Sequence, residues 1–352
     1  MSQPSVLVIT NMGPKASAPF QGRFVQQQVE ALQAAGLKPG YHYMRWHSDS
    51  RLNRYLKYPV FLLDFTWRYL FTRQSFDIIH VHFFYPTIWL ALLYKLCRHR
   101  HVRIIVTCHG SDIYKYKPAG WWYRWCAGFV EHWIFSSQSL AQHFFCQPAS
   151  WQVLSAGIAQ VYAAARQKPL ADKDIDLLFV GSLDHNKGVD RLISLLPLLA
   201  DKRILIIGSG PMQAQLQQVL ALYPNASFLS GQTPTELQQW YHRARCLVSL
   251  SRNEAFGLVM AEAMACYTPV IATTTDGSLA QVIDGENGFL LPAHADEHAL
   301  QQALLQALQQ MWQASPEQYA TWQQAARQRA EPEGIAQVAQ RLELLYQQLT
   351  KQ

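Results

Sequence analysis

Short apolar runs, each followed by a polar or glycine-bearing loop and then a helical pattern, recur along the chain. This recurrence constrains the fold more than any single residue does. Val6 to Thr10 opens the series, followed by Gly13, Pro14, Pro19 and Gly22 and a helical pattern from Arg23 to Gly36. Asp77 to His82, Arg103 to Thr107 and Phe135 to Ser137 continue it. Leu177 to Gly181, Arg203 to Gly208, Phe228 to Gly231 and Cys246 to Leu250 repeat it in the second half. Strand, loop and helix in alternation make a doubly wound α/β domain, whose ligands bind at the carboxyl ends of the strands. A chain of 352 residues is expected to form two such domains. The Ala- and Gln-rich passage Ala156 to Lys173 separates them, giving expected domains 1–165 and 166–331 and a terminal amphipathic helix in 332–352.

Ser251 to Thr273 carries the most chemistry. Ser251, Arg252, Asn253 and Glu254 lead to Gly257, then to the apolar run Leu258 to Cys266, a turn at Tyr267-Thr268-Pro269 and the pair Val270-Ile271. A helix starting at Gly257 leaves backbone N–H groups unpaired and has partial positive charge there, which suits a phosphate. Every residue from Leu258 to Cys266 is apolar except Glu262. A helix apolar all round is buried, and a carboxylate in it is costly unless something hydrogen-bonds to it. An internal partner and a bound ligand both answer that need. Glu254 and Glu262 would stand about 12 Å apart if both were helical, beyond the roughly 5 to 9.5 Å of hydrolase carboxylate pairs. They suit the two ends of one elongated, hydroxyl-rich ligand whose phosphates lie over the helix start.

Other residues are candidates by position. His80 and His82 share a strand face; they read as interior histidines ahead of a metal pair, since no third ligand is near. His109 follows directly on the strand Arg103 to Thr107, at the mouth of the sheet. Asp112 beside it either orients nearby donors or caps the next helix. Asp172, Asp174 and Asp176 have D-x-D spacing but precede a strand and read as solvated charge. The six cysteines form no C-x-x-C pair and read as reduced core thiols of a cytosolic protein. No secretory leader and no apolar run of about 18 residues is visible, so no membrane span is expected.

The charge is lopsided. Residues 1–150 hold 16 Lys and Arg against 6 Asp and Glu, whereas the remainder holds 14 against 18. A basic first half calls for an anionic partner. Of nucleic acid, a phospholipid surface and a phosphorylated ligand, nucleic acid fits least and is not expected, since no zinc-finger, helix-turn-helix or RNA-binding signature is visible. In Arg51 to Arg73 and Lys115 to Trp133, cationic residues alternate with Tyr, Trp and Phe. That mixture suits an interface of anionic headgroups and acyl chains.

Glu254-x7-Glu262 enclosing Phe256-Gly257-Leu258, followed by Pro269-Val270-Ile271-Ala272, closely resembles the nucleotide-sugar site of the family-4 retaining glycosyltransferases. The resemblance covers nearly the whole chain: the loop before Gly22-Arg23-Phe24, Asp77 to His82, Phe135-Ser136-Ser137, the segment ending in Lys187-Gly188, Gly208 with Gly210-Pro211, and Asp276 to Phe289. It implies the GT-B architecture, two Rossmann-like doubly wound domains facing a cleft, with the terminal helix crossing back onto the first. It implies that Glu262 holds the ribose hydroxyls, and that Glu254 with the Ala255-Phe256-Gly257-Leu258 backbone holds sugar and phosphates. Lys187 would neutralise the leaving diphosphate, Gly208 would admit the base, Gly22 would border the donor phosphates, and His109 would sit beside the transferred sugar. Ser182 stands where the family usually has a donor-site arginine, and Ala280-Gln281 replace a Pro-Glu pair.

The function so implied is retaining transfer from a nucleotide diphosphate sugar to a glycan or lipid-linked acceptor, in bacterial surface polysaccharide (such as lipopolysaccharide) assembly. The enzyme would be cytoplasmic, peripheral on an anionic membrane surface, and would need no metal or cofactor because lysine and helix supply the positive charge. A catalytically silent scaffold of the same architecture and a nucleotide-sugar epimerase are the alternatives.

Overall fold

The computed structural model describes residues 3–14, 22–45, 50–292 and 296–351. It divides into two compact units, 1–157 with 335–352, and 158–334. The first is built on β1 (Val6–Thr10), β2 (Gly40–Tyr43), β3 (Ile78–His82), β4 (Arg103–Cys108), β5 (His132–Phe135) and β6 (Trp151–Val153). The second is built on β7 (Leu177–Ser182), β8 (Ile204–Ser209), β9 (Ala226–Leu229), β10 (Leu247–Ser249), β11 (Val270–Thr273) and β12 (Gly288–Leu291). Both sheets are wholly parallel, in the orders β2-β1-β3-β4-β5-β6 and β12-β11-β10-β7-β8-β9.

Parallel strands need crossovers, and helices used as crossovers cover both faces, so the central strands become continuous apolar runs. β1 and β3 are buried at every position. In each sheet the winding reverses once, between β1 and β3 and between β7 and β10. At such a point the two following loops depart in opposite directions and leave an open crevice at the carboxyl ends. Ligands of doubly wound sheets bind at or beside such points.

The helix Ile335–Lys351 belongs to the first unit. Val338, Leu342, Leu345 and Leu349 recur at helical spacing and pack against Val25, Val29 and Leu32 of the helix Arg23–Ala34. The same face brings Tyr346 to His80, in the middle of the sheet. His80 is fully buried, with Nδ1 2.7 Å from the Tyr346 hydroxyl and Nε2 2.7 Å from Thr107 Oγ1. Burial pushes its pKa down to about 3, and both ring nitrogens are occupied by protein. It is an interior histidine.

Three expectations need correction. The chain passes between the units at Gly157/Ile158, ahead of residue 165, because Ile158, Tyr162 and Ala165 pack into the second core. It returns at Gly334/Ile335. Of the three aspartates only Asp172 is exposed; Asp174 pairs with Arg243 at 2.5 Å, and buried Asp176 takes the backbone N–H of Arg203 at 2.9 Å and its Nε at 3.2 Å. Asp174 and Asp176 thus tie the approach to β7 to Arg243 and Arg203, while Asp172 fits the reading as solvated charge. Cys97 and Cys146 are exposed and are not core thiols, unlike Cys108, Cys126, Cys246 and Cys266.

Replacing Tyr346 by Phe leaves His80 Nδ1 buried without a partner. The expected cost is about 1 to 2 kcal/mol, read as a lower urea midpoint for the first unit; an unchanged midpoint contradicts the assignment.

Candidate functional site

In the second unit the loops after β7 and β10 leave from the reversal of winding. The first runs Leu183 to Gly188, and the second Leu250 to Gly257. They are fastened to one another by polar bonds that serve no strand. Asn186 Nδ2 donates to the Asn253 carbonyl at 3.0 Å, and Arg252 N donates to the Asn186 carbonyl at 2.7 Å. The Arg252 guanidinium forks onto Asp190 at 2.9 and 2.7 Å. Such bidentate pairs fix geometry as well as contributing energy. The result is that Lys187 Nζ and the Glu254 carboxylate meet in an ion pair, with both side chains mostly buried.

The helix Leu258–Ala265 begins beside that pair. Gly257 caps it at φ +80°, a conformation that costs any residue with a Cβ, and it supplies no side-chain cap. The first turn carries no acidic residue. The helix start therefore presents positive polarity next to a lysine, with a carboxylate a few atoms away. Ala255 and Phe256 are buried in support, and Leu258 is half-buried. The Phe256 carbonyl accepts a hydrogen bond from the Gln281 side-chain amide, while Gly277 N donates to the Glu254 carbonyl at 2.8 Å. Gln281 thus braces the loop from behind. The sequence did not indicate that role.

Glu262 has an internal partner. Its Oε2 accepts from the buried Tyr241 hydroxyl at 3.0 Å. Burial raises its pKa to about 7, with the tyrosine bond opposing. The tyrosine occupies one carboxylate oxygen and leaves acceptor capacity on the other. Tyr241, at the end of the helix Pro234–Arg243, carried no sequence signal.

Ser182 is exposed at the end of β7 and paired with Ser209. The arginines on the neighbouring segments have partners of their own: Arg191 forks onto Glu297 at 3.1 Å and reaches the Leu250 carbonyl at 3.2 Å, and Arg252 forks onto Asp190. Gly208 is required by the strands themselves, since a Cβ there would lie 1.9 Å from the Gly181 carbonyl oxygen.

In the first unit, His109 follows β4, half-buried, with Phe24 and Phe83 against its ring at centroid distances of 5.0 and 4.5 Å. Asp112 is buried and accepts the backbone N–H of His109 at 3.0 Å and of Phe84 at 2.9 Å. It joins the loops after β4 and β3, and its side chain does not cap the helix Ser111–Tyr114. Phe83 is held at φ +64° between those loops. Strain of this kind collects at functional positions. His82 is a neighbour of His109, Nδ1 to Nε2 at 3.0 Å. Gly22 caps the helix Arg23–Ala34 at φ +68°; the loop ahead of it at residues 15–21 lies outside the described residues. Among the described residues no group of three or more His, Cys, Asp or Glu is placed to hold a metal ion.

Both basic-aromatic segments lie in this unit. The helix Arg51–Tyr69 buries Phe61 and Phe65, yet leaves Tyr55, Leu63 and Trp67 at 77, 69 and 78% exposure. Trp121 and Trp122, opening the helix Trp121–Ala127, are 65 and 53% exposed. No helix among the described residues is long and apolar enough to cross a membrane.

Two family models match, "Glycosyltransferase Family 4" over residues 9–157 and "Glycosyl transferases group 1" over 160–329. D-inositol 3-phosphate glycosyltransferase of Kribbella flavida is 29% identical over 181 residues, covering 45% of this chain and 43% of that protein. Its namesake in Mycobacteroides abscessus is 36% identical over 136 residues, 36% of this chain and 30% of that one. The chain thus spans less than half the length of these curated relatives. The fold is shared with sucrose-phosphate synthase of Thermosynechococcus elongatus, at TM-score 0.73, 21% identity and 98 and 99% coverage of the two chains. It is shared also with Anabaena HepE, solved with UDP and glucose, at TM-score 0.70, 15% identity and 98 and 100% coverage.

The raised pKa of Glu262 gives a test of its burial. A carboxyl whose folded pKa exceeds its unfolded one contributes stability while protonated and loses it as pH rises from about 4.5 to about 7. Glu262→Gln removes that titration. The variant is expected to gain on the wild type by about 2 kcal/mol between those limits in denaturant unfolding; a pH-independent difference contradicts the assignment.

Proposed function

Because this chain belongs to the family-4 glycosyltransferases, we propose that it is a retaining transferase moving a sugar from a nucleotide diphosphate sugar to a glycan or lipid-linked acceptor. The observation that carries the reading is the meeting of Lys187 and Glu254 beside the uncapped start of the helix Leu258–Ala265. A lysine and a helix N-terminus together stabilise a diphosphate anion as the glycosidic bond to it breaks. Glu254 then accepts from sugar hydroxyls and Glu262 from the ribose. The leaving diphosphate competes with Glu254 for Lys187, so donor binding loosens the ion pair and frees the carboxylate for the sugar. Positive charge comes from the protein, and no metal is required in this reading. His109 serves the acceptor side. The chemistry asked of the protein is electrostatic and positional: hold the leaving group, and keep the acceptor hydroxyl on the face from which it departs.

A surface polysaccharide assembled on a membrane lipid fits the first unit, whose exposed Tyr55, Leu63, Trp67, Trp121 and Trp122 accompany the basic excess of residues 1–150. Such a surface binds anionic lipid from the cytoplasmic side. A catalytically silent subunit is the second reading, favoured by Ser182 and by the commitment of Arg191 and Arg252 to other partners.

Donor identity is read by thermal shift with UDP-, GDP- and ADP-sugars. UDP-sugars are tried first, because the related Anabaena HepE and pneumococcal GtfA structures contain UDP. The matching donor raises the melting temperature by mass action. Lys187→Ala and Glu254→Ala are each expected to cut transfer by roughly 10²- to 10³-fold; unchanged transfer removes them from the site, and no transfer by the wild type with any donor favours the silent subunit. In sedimentation with anionic liposomes at low salt, the wild type is expected in the pellet and Trp67→Ser/Trp121→Ser in the supernatant. Wild type remaining in the supernatant retires the membrane reading.

A further inference from the structure

We propose that His82 is a positioning residue that fixes His109 as the tautomer carrying its proton on Nδ1, so that His109 offers a hydroxylated substrate an N–H and not a basic nitrogen. The inference rests on the reading of His109 as an acceptor-side residue, and sharpens it. Nδ1 of His82 lies 3.0 Å from Nε2 of His109, so one of the two nitrogens donates and the other accepts. A neutral imidazole carries one N–H and one bare nitrogen, and the bond made by one fixes the state of the other.

The direction is settled at the far side of His82. Its Nε2 is buried and has no hydrogen-bond partner. Were the proton there, a buried N–H would be left without an acceptor, and orphaned buried N–H groups are rarer than bare acceptors. The proton of His82 therefore sits on Nδ1 and is donated to Nε2 of His109. With that nitrogen accepting, the proton of His109 sits on Nδ1, which no described residue engages.

The surroundings keep both rings neutral and in place. Burial pushes His109 down to about 3 and lowers His82 as well, helped by the neighbouring imidazoles. His80, with its ring centroid 4.5 Å from that of His82, does not compete, since Tyr346 and Thr107 occupy both its nitrogens. Phe24 and Phe83 set the plane of His109, and Asp112 holds its backbone. A neutral ring so placed donates to a hydroxyl oxygen, and has no bare nitrogen facing outward to take a proton.

The test is long-range ¹H–¹⁵N correlation on the unliganded full chain labelled with ¹⁵N-histidine, with the His109 signals assigned by their loss in His109→Gln. The expected pattern is a protonated Nδ1 and a bare Nε2 on His109, unchanged between about pH 6 and about pH 8. A protonated Nε2, or an imidazolium, overturns the proposal. His82→Asn, whose amide replaces the donor, is expected to preserve the pattern, and His82→Asp, an acceptor only, to move the His109 proton to Nε2. A His109 pattern indifferent to His82→Asp shows that His82 does not set the tautomer. Should His82→Asp not fold, the wild-type and His82→Asn spectra decide. None of these spectra depends on sugar transfer, so failure of the functional reading is seen separately, in the transfer assay.

Discussion

Everything assigned to the second unit depends on one constraint, the adjacency of β7 and β10. They are neighbours in the sheet but belong to opposite halves of its winding. Their loops leave in different directions, so residues far apart in the chain face each other over open carboxyl ends. Lys187 and Glu254 are 67 positions apart in sequence and in contact in space. The Arg252–Asp190 fork and the Asn186–Asn253 bond make that contact a property of the backbone, because they fix both loops before any ligand arrives.

The polar groups sunk into the two cores follow a common logic. Each is costly alone and is held by a hydrogen-bond partner supplied by the fold. Tyr241 takes one oxygen of Glu262, Gln281 takes the carbonyl of Phe256, and Asp112 gathers the amides of Phe84 and His109. His80 is the contrasting case, with both nitrogens consumed, and it serves the terminal helix and not a ligand. The arginines follow the same division. Arg191 and Arg252 stand near the loop that follows Ser182, and each is locked to a carboxylate.

Much of the fold was legible because its signals are local. The strand runs ending in glycine or small residues were identified, and the helix after Gly257 starts where the apolar run begins. The helix Arg51–Tyr69 was not legible: Pro59 stands inside it, and its pattern of aromatics and cations reads as surface chemistry before it reads as a helix. The candidate site residues Glu254, Glu262, Lys187 and His109 were legible as types, from their place at strand and helix ends and from the family resemblance. Their supports were not. Tyr241, Asp190, Gln281 and His82 act through contacts made by folding, and nothing in a tyrosine at the end of a helix announces a glutamate 21 positions away. The partners of Asp176 were hidden for the same reason, Arg203 lying just ahead of β8 and Arg245 just ahead of β10.

The account stands on a diphosphate seated at the start of the helix Leu258–Ala265. A crystal structure of the chain with its nucleotide diphosphate sugar tests this most directly. It should show phosphate oxygens within hydrogen-bonding distance of Lys187 Nζ and of the backbone N–H groups at Gly257 and Leu258, with Glu254 turned from the lysine to the sugar. A donor bound elsewhere, with the Lys187–Glu254 pair intact, would contradict it.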